Sequence, residues 1–393
     1  MRVPNSPPKT VDGGKSEPAA ETVAYLRRVR EAAEPAALAR RSFQAVCRRA
    51  RGAFPTDVLA ALGAFSIDRG VEKSPTPACK GPEPHPLDFD WRFNSTTATY
   101  IALKASRNGP VLCLGVPTVF QSLVSQGAPA LLIDRNPHAA EGASQSGYDI
   151  VTKDIEDVEP SDLQGAYEVA VMDPPWYPDD YELWLARLLP LLRPGATFFT
   201  TLFPDLVRPS AHSERDQLCR YLHRLGRVRL LPRFAVYSTP PFEAEVLSRV
   251  GLGSVPKWRI SPLFEVTLAD GAHDRGPPER ARKKAPQWNR FVIGQQTVAV
   301  ATTPGNSGVF SYTPGAESCA LNSVSRRDPR RSRINVWTSR NWVAEVSGTE
   351  TLDRFLGYVA SGMSPGLASQ QAASADNEAH LLVRLLGDLH LLK

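Results

Sequence analysis

The sequence is poor in sulfur chemistry. Its five cysteines (Cys47, Cys79, Cys113, Cys219 and Cys319) are scattered without a CxxC pair. That spacing excludes the common zinc sites and a disulfide framework, so no metal is expected and a reducing, cytoplasmic setting is. Long apolar runs are also missing. Stretches such as "VLCLGVPTVF" are too short to cross a bilayer, so no membrane partner is expected. The leading "MRVPNSPPKTVDGGKSEP" has no apolar core of a secretory signal and too little to bury, which predicts a disordered tail over 1–20. No internal repeat is visible. No GxGxxG follows a strand-like segment, which disfavours a nicotinamide dinucleotide site.

What is present is proline, 35 residues of it, and an uneven charge. Between Asp274 and Arg340, twelve Lys/Arg stand against four Asp/Glu. The net charge of +5 therefore belongs to the C-terminal part, and the remainder of the chain is net negative. Residues 21–73 read as helical, with two helices turning near Glu34–Pro35 and an Arg-rich face that suits an acidic partner or plain solvation. Residues 74–90 form a Pro-rich linker.

From 91 to 255 short apolar runs alternate with helical patterns. "VLCL", "ALLIDRN", "YDIVTKDI", "YEVAVMD" and "ATFFTTLF" are strand-like, and "TVFQSLVSQG" and "DDYELWLARLLPLLRPG" are helical. Alternation of this kind predicts a parallel α/β sheet covered on both faces, a doubly wound Rossmann-like fold. The runs at 227–237 and 242–251, with no helix between them, are expected to close the sheet as an antiparallel hairpin. Beyond a linker at 256–285, residues 286–348 read as a basic β-rich module and 349–393 as C-terminal helices.

In such a sheet ligands bind beyond the carboxyl ends of the strands. That selects Gly115, Pro117 and Thr118 after the first strand, Asp134 after the second, Asp154 after the third and Asp173–Trp176 after the fourth. An acid at Asp134 suits ribose hydroxyls, and Asp154 an adenine amino group; equally, both could cap nearby backbone. "DPPW" is the sharper signal. A carboxylate (Asp173) and a proline carbonyl (Pro174, Pro175) can each accept an N–H of an amine, leaving its lone pair aimed, and fixed φ angles hold the carbonyl. Trp176 can stack on a planar base or meet a cation. "TPPF" at 239–242 is a near-copy whose context, between two expected strands, sets it apart. Tyr177 joins the motif as a substrate contact. In the basic module, Trp337 and Arg340 suit base stacking and phosphate contact, or else core packing beside a solvated loop.

"WRFNSTTATYIA", "VLCLGVPTVFQSL", "LLIDRNP", "YEVAVMDPPWY" and "PPFEAEVLSRV", in this order, resemble the probable N6-adenine methyltransferase family, whose relatives include lysine methyltransferases of translation elongation factor 1A. The resemblance covers about 91–251. It implies a class I fold using S-adenosyl-L-methionine, with Gly115, Pro117 and Thr118 lining the cofactor, Asp134 on its ribose and Asp173–Trp176 holding the target amine. That family also uses a small-residue–Pro–Ser/Thr turn in place of a full glycine-rich loop. The acceptor, adenine in nucleic acid or a protein lysine, stays open, as does the alternative of a catalytically inactive binding or scaffold protein.

Overall fold

The computed structural model describes residues 17–63, 82–88, 91–137, 139, 149–159, 163, 166–252, 255, 257–272, 287–302, 308–313 and 333–392. Three N-terminal helices, α1 (Glu17–Leu38), α2 (Phe43–Arg49) and α3 (Pro55–Leu62), come first. The α/β region follows in the order α4 (Ser95–Ala105), β1 (Val111–Leu114), α5 (Pro117–Ser125), β2 (Ala130–Ile133), β3 (Asp149–Val151), β4 (Tyr167–Met172), α6 (Pro178–Leu188), β5 (Leu192–Thr201), α7 (Ala211–Leu225), β6 (Gly226–Leu230), β7 (Ala235–Val236), α8 (Pro241–Arg249), β8 (Ile260–Ser261) and β9 (Leu263–Leu268). The C-terminal part contains β10 (Gln287–Ile293), β11 (Gln296–Thr302), β12 (Ser311–Tyr312), β13 (Val336–Thr338), β14 (Val343–Ala344), β15 (Val346–Ser347), α9 (Thr349–Ala360), α10 (Pro365–Ala372) and α11 (Asp376–Asp388).

Seven strands form the main sheet in the order β3-β2-β1-β4-β5-β9-β6. Its first five strands are parallel, and β9 runs antiparallel to both β5 and β6. This is a doubly wound, Rossmann-like sheet closed by an antiparallel strand. Period-2 alternation sends Val111, Cys113, Val169 and Val171 to one face, under α4 and α5. Leu112, Leu114, Ala170 and Met172 go to the other, under α6 and α7. Strands buried on both sides must be apolar at every position, which is why β1 reads "VLCL". The order of connection reverses between β1 and β4, and both strands end beside the residues of interest.

Several expectations need correction. The segment expected as a strand at 242–251 is mostly helix α8 (Pro241–Arg249): Pro241 opens it, Glu243 lies in its first turn, and Phe242, Val246 and Leu247 share its buried face. The antiparallel strand is instead β9, whose "LFEVTL" alternates in burial. The sheet thus draws a strand from the segment expected to be a linker after 255. Helix α1 runs through Pro35 without a turn, because Val29, Ala33, Ala36 and Ala37 remain buried in one cluster across it. A single lost N–H near a helix end costs less than that packing. Residues 17–20 of the expected tail belong to α1, and 1–16 lie outside the described residues.

The C-terminal part folds around its own core. Strands β10-β11-β13-β14 form an antiparallel sheet, and Val298, Val300, Phe355, Leu356, Leu382 and Leu386 join it to α9–α11. The C-terminal helices expected over 349–393 are three, α9, α10 and α11. Within the basic module, Arg326, Arg327, Arg330 and Arg331 lie outside the described residues. Among the described residues, no helix is long and apolar enough to cross a membrane, and no cluster of His, Cys, Asp and Glu could hold a metal.

Candidate functional site

The "DPPW" turn leaves the carboxyl end of β4 beside the switch in strand order. Asp173 Oδ1 accepts from Thr201 Oγ1 (2.5 Å) at the end of β5 and from Tyr237 OH (2.9 Å) after β7. Those two hydroxyls are themselves 3.2 Å apart. Oδ2 receives no hydrogen bond among the described residues. Asp173 keeps a narrow opening to solvent, but dense surroundings dominate its ionisation. Burial pushes its carboxyl up to about 6, against the opposing influence of Thr201, Tyr237 and Arg259. The Pro175 carbonyl accepts the Tyr177 N–H (2.7 Å), closing a tight turn. The Pro174 carbonyl accepts no hydrogen bond among the described residues. One oxygen of Asp173 and, of the two proline carbonyls open from the sequence, that of Pro174 therefore have unfilled capacity.

The motif is braced from behind. Arg208 donates to the Trp176 carbonyl and to Glu214. Its guanidinium lies 4.4 Å from the Phe203 ring centre and 5.0 Å from that of Tyr177. Tyr181 OH, from α6, donates to the Thr201 carbonyl (3.0 Å). The turn is thus fixed to β5 and α6 rather than to a surface loop alone.

The role of Trp176 differs from the expected one. Its indole is 4% exposed, and one face is covered by Arg259, whose Cζ is 3.7 Å from the ring centre. The same guanidinium lies 4.3 Å from Trp91 and 5.4 Å from Tyr237. Trp176 meets Tyr237 edge-on at 5.5 Å. A cation from the chain itself occupies the place that sequence reasoning gave to a substrate base or amine, so Trp176 serves as a fixed wall. Arg259 is buried, its Nε has no hydrogen-bond partner among the described residues, and burial lowers its pKa while Tyr237, Asp173 and Glu243 act to raise it. Glu243, 3% exposed, is pushed up to about 7 by burial, which Arg259 opposes.

These residues show what the sequence reading missed. "TPPF", set aside as a near-copy of "DPPW", begins α8 and delivers Glu243 toward Arg259. Its Phe242 packs on Trp91 at 5.9 Å. Thr201 was visible only as the end of an apolar strand. Arg259 lay in the expected linker, where no pattern marks a buried cation.

On the cofactor side, Gly115 has φ +60°, and a Cβ there would come 2.5 Å from Cη2 of Trp184. The glycine is required both by its backbone and by that indole. Pro117 is the first residue of α5. Thr118 follows it, 7% exposed, with its hydroxyl buried and without a partner among the described residues. Asp134 accepts from the Asn136 N–H (2.9 Å). A buried hydroxyl at the start of α5 and a half-buried acid at the end of β2, beyond adjacent strands of the sheet, are groups that fit a nucleoside cofactor. Asp154 is engaged otherwise: it caps Glu156 N–H and pairs with Arg135 at 3.3 Å.

The structure does not bring Trp337 or Arg340 to this site. Trp337 is 1% exposed and donates to Asn341 Oδ1 (3.1 Å) in the core of the second sheet. Stacking on a base is therefore excluded. Arg340 donates to both carboxylate oxygens of Glu83, at 2.8 and 3.1 Å, and so fastens the 82–88 segment to this sheet. Tyr177 stays half-exposed beside the motif.

The chain matches no protein-family profile and no curated protein. Among solved structures it is similar to the C9 mutein of the branched-chain polyamine synthase from Thermus thermophilus, in complex with N4-aminopropylspermidine and 5'-methylthioadenosine. The identity there is 17%, over 66% of this chain and 90% of that one, with a TM-score of 0.47. It is also similar to the N-methyltransferase NodS from Bradyrhizobium japonicum (11%, 45% and 94%, TM-score 0.30) and to an rRNA methylase from Streptococcus thermophilus (12%, 44% and 95%, TM-score 0.29). At these identities the likeness is one of fold.

Proposed function

We propose that the protein is an S-adenosyl-L-methionine-dependent methyltransferase acting on an amino nitrogen, adenine N6 in nucleic acid or a protein lysine. The observation that carries this reading is Asp173: a carboxylate at the end of β4, held on one oxygen by two hydroxyls, with its other oxygen and the Pro174 carbonyl left to accept. Bound S-adenosyl-L-methionine supplies an electrophilic methyl group on sulfur. Thr118, Asp134 and the Gly115–Pro117 backbone would hold it.

The remaining work falls to the chain. Asp173 Oδ2 and the Pro174 carbonyl accept the two N–H groups of the amine, which aims its lone pair. Tyr237 and Thr201 fix Asp173 so that orientation is set before the acceptor arrives, and positioning of this kind supplies much of a transfer barrier. Trp176, backed by Arg259, walls the amine from water. Asp173 ionises near pH 6 and is anionic at neutral pH, the form that accepts.

Titration calorimetry with S-adenosyl-L-methionine tests the cofactor. Incubation with methyl-labelled cofactor and separate RNA, DNA and protein pools tests the transfer. Heat of binding together with label in one pool is the expected result. Absence of binding by the wild type ends the enzymatic reading.

A further inference from the structure

Between Pro35 and Thr56 the chain carries Arg40, Arg41, Arg48, Arg49 and Arg51 and no acid. All five are exposed, and none forms an ion pair among the described residues. The flanking acids are already engaged: Glu34 pairs with Arg30 at 3.2 Å, and Asp57 accepts from Tyr25 OH at 2.8 Å. The run is therefore a positive surface without local compensation.

This surface is fastened beside the candidate site. At Gly52 a Cβ would lie 2.7 Å from Pro204, so the backbone there packs directly on the loop that carries Arg208 to the Trp176 carbonyl. Arg28 donates to the Pro209 carbonyl (2.7 Å) and Tyr25 to the Leu206 carbonyl (3.0 Å). Phe54 meets Trp258 at 5.3 Å, one residue before Arg259.

Aromatic rings continue the positive strip. The Arg51 guanidinium lies 4.7 Å from the ring centre of Phe234, which is 39% exposed despite its size. The neighbouring Arg233 lies 5.1 Å from the Tyr100 ring. Arg233 and Tyr100 also line an open depression of about 350 Å³ with the hydroxyls of Ser95, Thr96 and Thr99. The strip leads inward within a few residues. Tyr237, three positions after Phe234, donates to Asp173.

We infer that Arg48, Arg49, Arg51, Phe234, Arg233 and Tyr100 form a docking track for single-stranded nucleic acid, which carries the acceptor amine to Asp173. As an assignment of the acceptor, this rests on the methyl-transfer reading. Unpaired arginines suit a phosphate backbone, and an exposed ring between guanidinium groups suits an unstacked base. A cationic lysine-bearing segment would be repelled by the same surface.

The test uses the full chain and a short fluorescein-labelled single-stranded RNA of mixed sequence, titrated over a range of salt. Wild type should bind with an affinity that falls steeply with salt. The Arg48→Ser/Arg49→Ser/Arg51→Ser variant should flatten the log–log slope by about 2 and weaken binding roughly tenfold or more near 0.1 M salt. Phe234→Ala should weaken binding about tenfold with an unchanged slope. Circular dichroism spectra and melting temperatures equal to those of wild type show that both variants are folded. Variants that bind RNA as wild type does would overturn the track. So would a preference for duplex over single strand, or equal competition by polyglutamate. If RNA binds through these residues while the cofactor does not bind wild type, the track stands and the methyl-transfer reading falls.

Discussion

Asp173 and Asp88 are both enclosed carboxylates near arginines, and their ionisation goes opposite ways. At Asp88, burial pushes the carboxyl up, but Arg135 and Arg290 outweigh it and hold the group below the ordinary carboxylate range. Arg135 Nε is 2.9 Å away, and Arg290 also donates to Oδ1. At Asp173 the nearest donors are hydroxyls, and Arg259 lies against three aromatic rings. Burial therefore dominates, and the carboxyl rises to about 6. The first acid is a joint, tying the end of β2 to β10 through the 82–88 segment. Both acids leave Oδ2 without a hydrogen bond among the described residues. What separates them is that no guanidinium among those residues donates to Asp173. A carboxyl raised by burial at a strand end is the kind of group that functional sites employ.

The sharpest way to break this comparison is Asp173→Asn. Transfer should fall a hundredfold or more, roughly the cost of losing acceptor alignment, while calorimetric cofactor binding is kept. Turnover equal to wild type would refute the assigned role. Asp88→Asn should act on stability instead. It leaves Arg290 and the half-exposed Arg135 facing a neutral amide, at a cost of about 2 kcal/mol read from the urea midpoint. The same change with no shift in the midpoint would show that the joint carries nothing.

The two acids should also separate by pH. The stabilisation from Asp88 is present above the ordinary carboxylate value, near 4, and is lost as pH falls through its lower folded value. For Asp173 the sign reverses: its ionised form opposes folding above about pH 6, and that cost disappears as pH falls toward 4. Melting temperatures of Asp173→Asn should therefore exceed those of wild type more at pH 8 than at pH 4. Activity of wild type should rise with pH along a limb near 6.

Arg259→Met should move that limb to higher pH by a fraction of a unit to one unit, because the cation that favours the carboxylate is gone. A limb that stays in place would mean the guanidinium acts only through packing. The smallest effect is expected from Trp337→Phe, a loss of about 1 kcal/mol from a buried ring and its N–H bond to Asn341, with RNA affinity unchanged.

Legibility from the sequence followed local physics. Strands β1, β2 and β4 were readable because burial on both faces forces continuous apolar runs. Helix α8 was misread although Pro241 and Glu243 announce a helix start, because the apolar residues in "FEAEVLSRV" were given the wrong period. Strand β9 was passed over because it follows a long irregular segment. Asp173 stood out through its neighbours in sequence. Tyr237, Thr201, Glu243 and Arg259 did not, since none is near it along the chain.

The sequence by itself determined the alternation of strands and helices, the acid at the end of β4 and the arginine-rich, acid-free run from 35 to 56. These rest on local composition and period, which chain order preserves. Only the tertiary structure decided that Arg259 fills the face of Trp176, that Trp337 is core rather than contact surface, and that the N-terminal arginines lie beside the site. Those outcomes depend on which distant segments share one buried volume, and burial and pairing across such distances leave no pattern in any single stretch of chain.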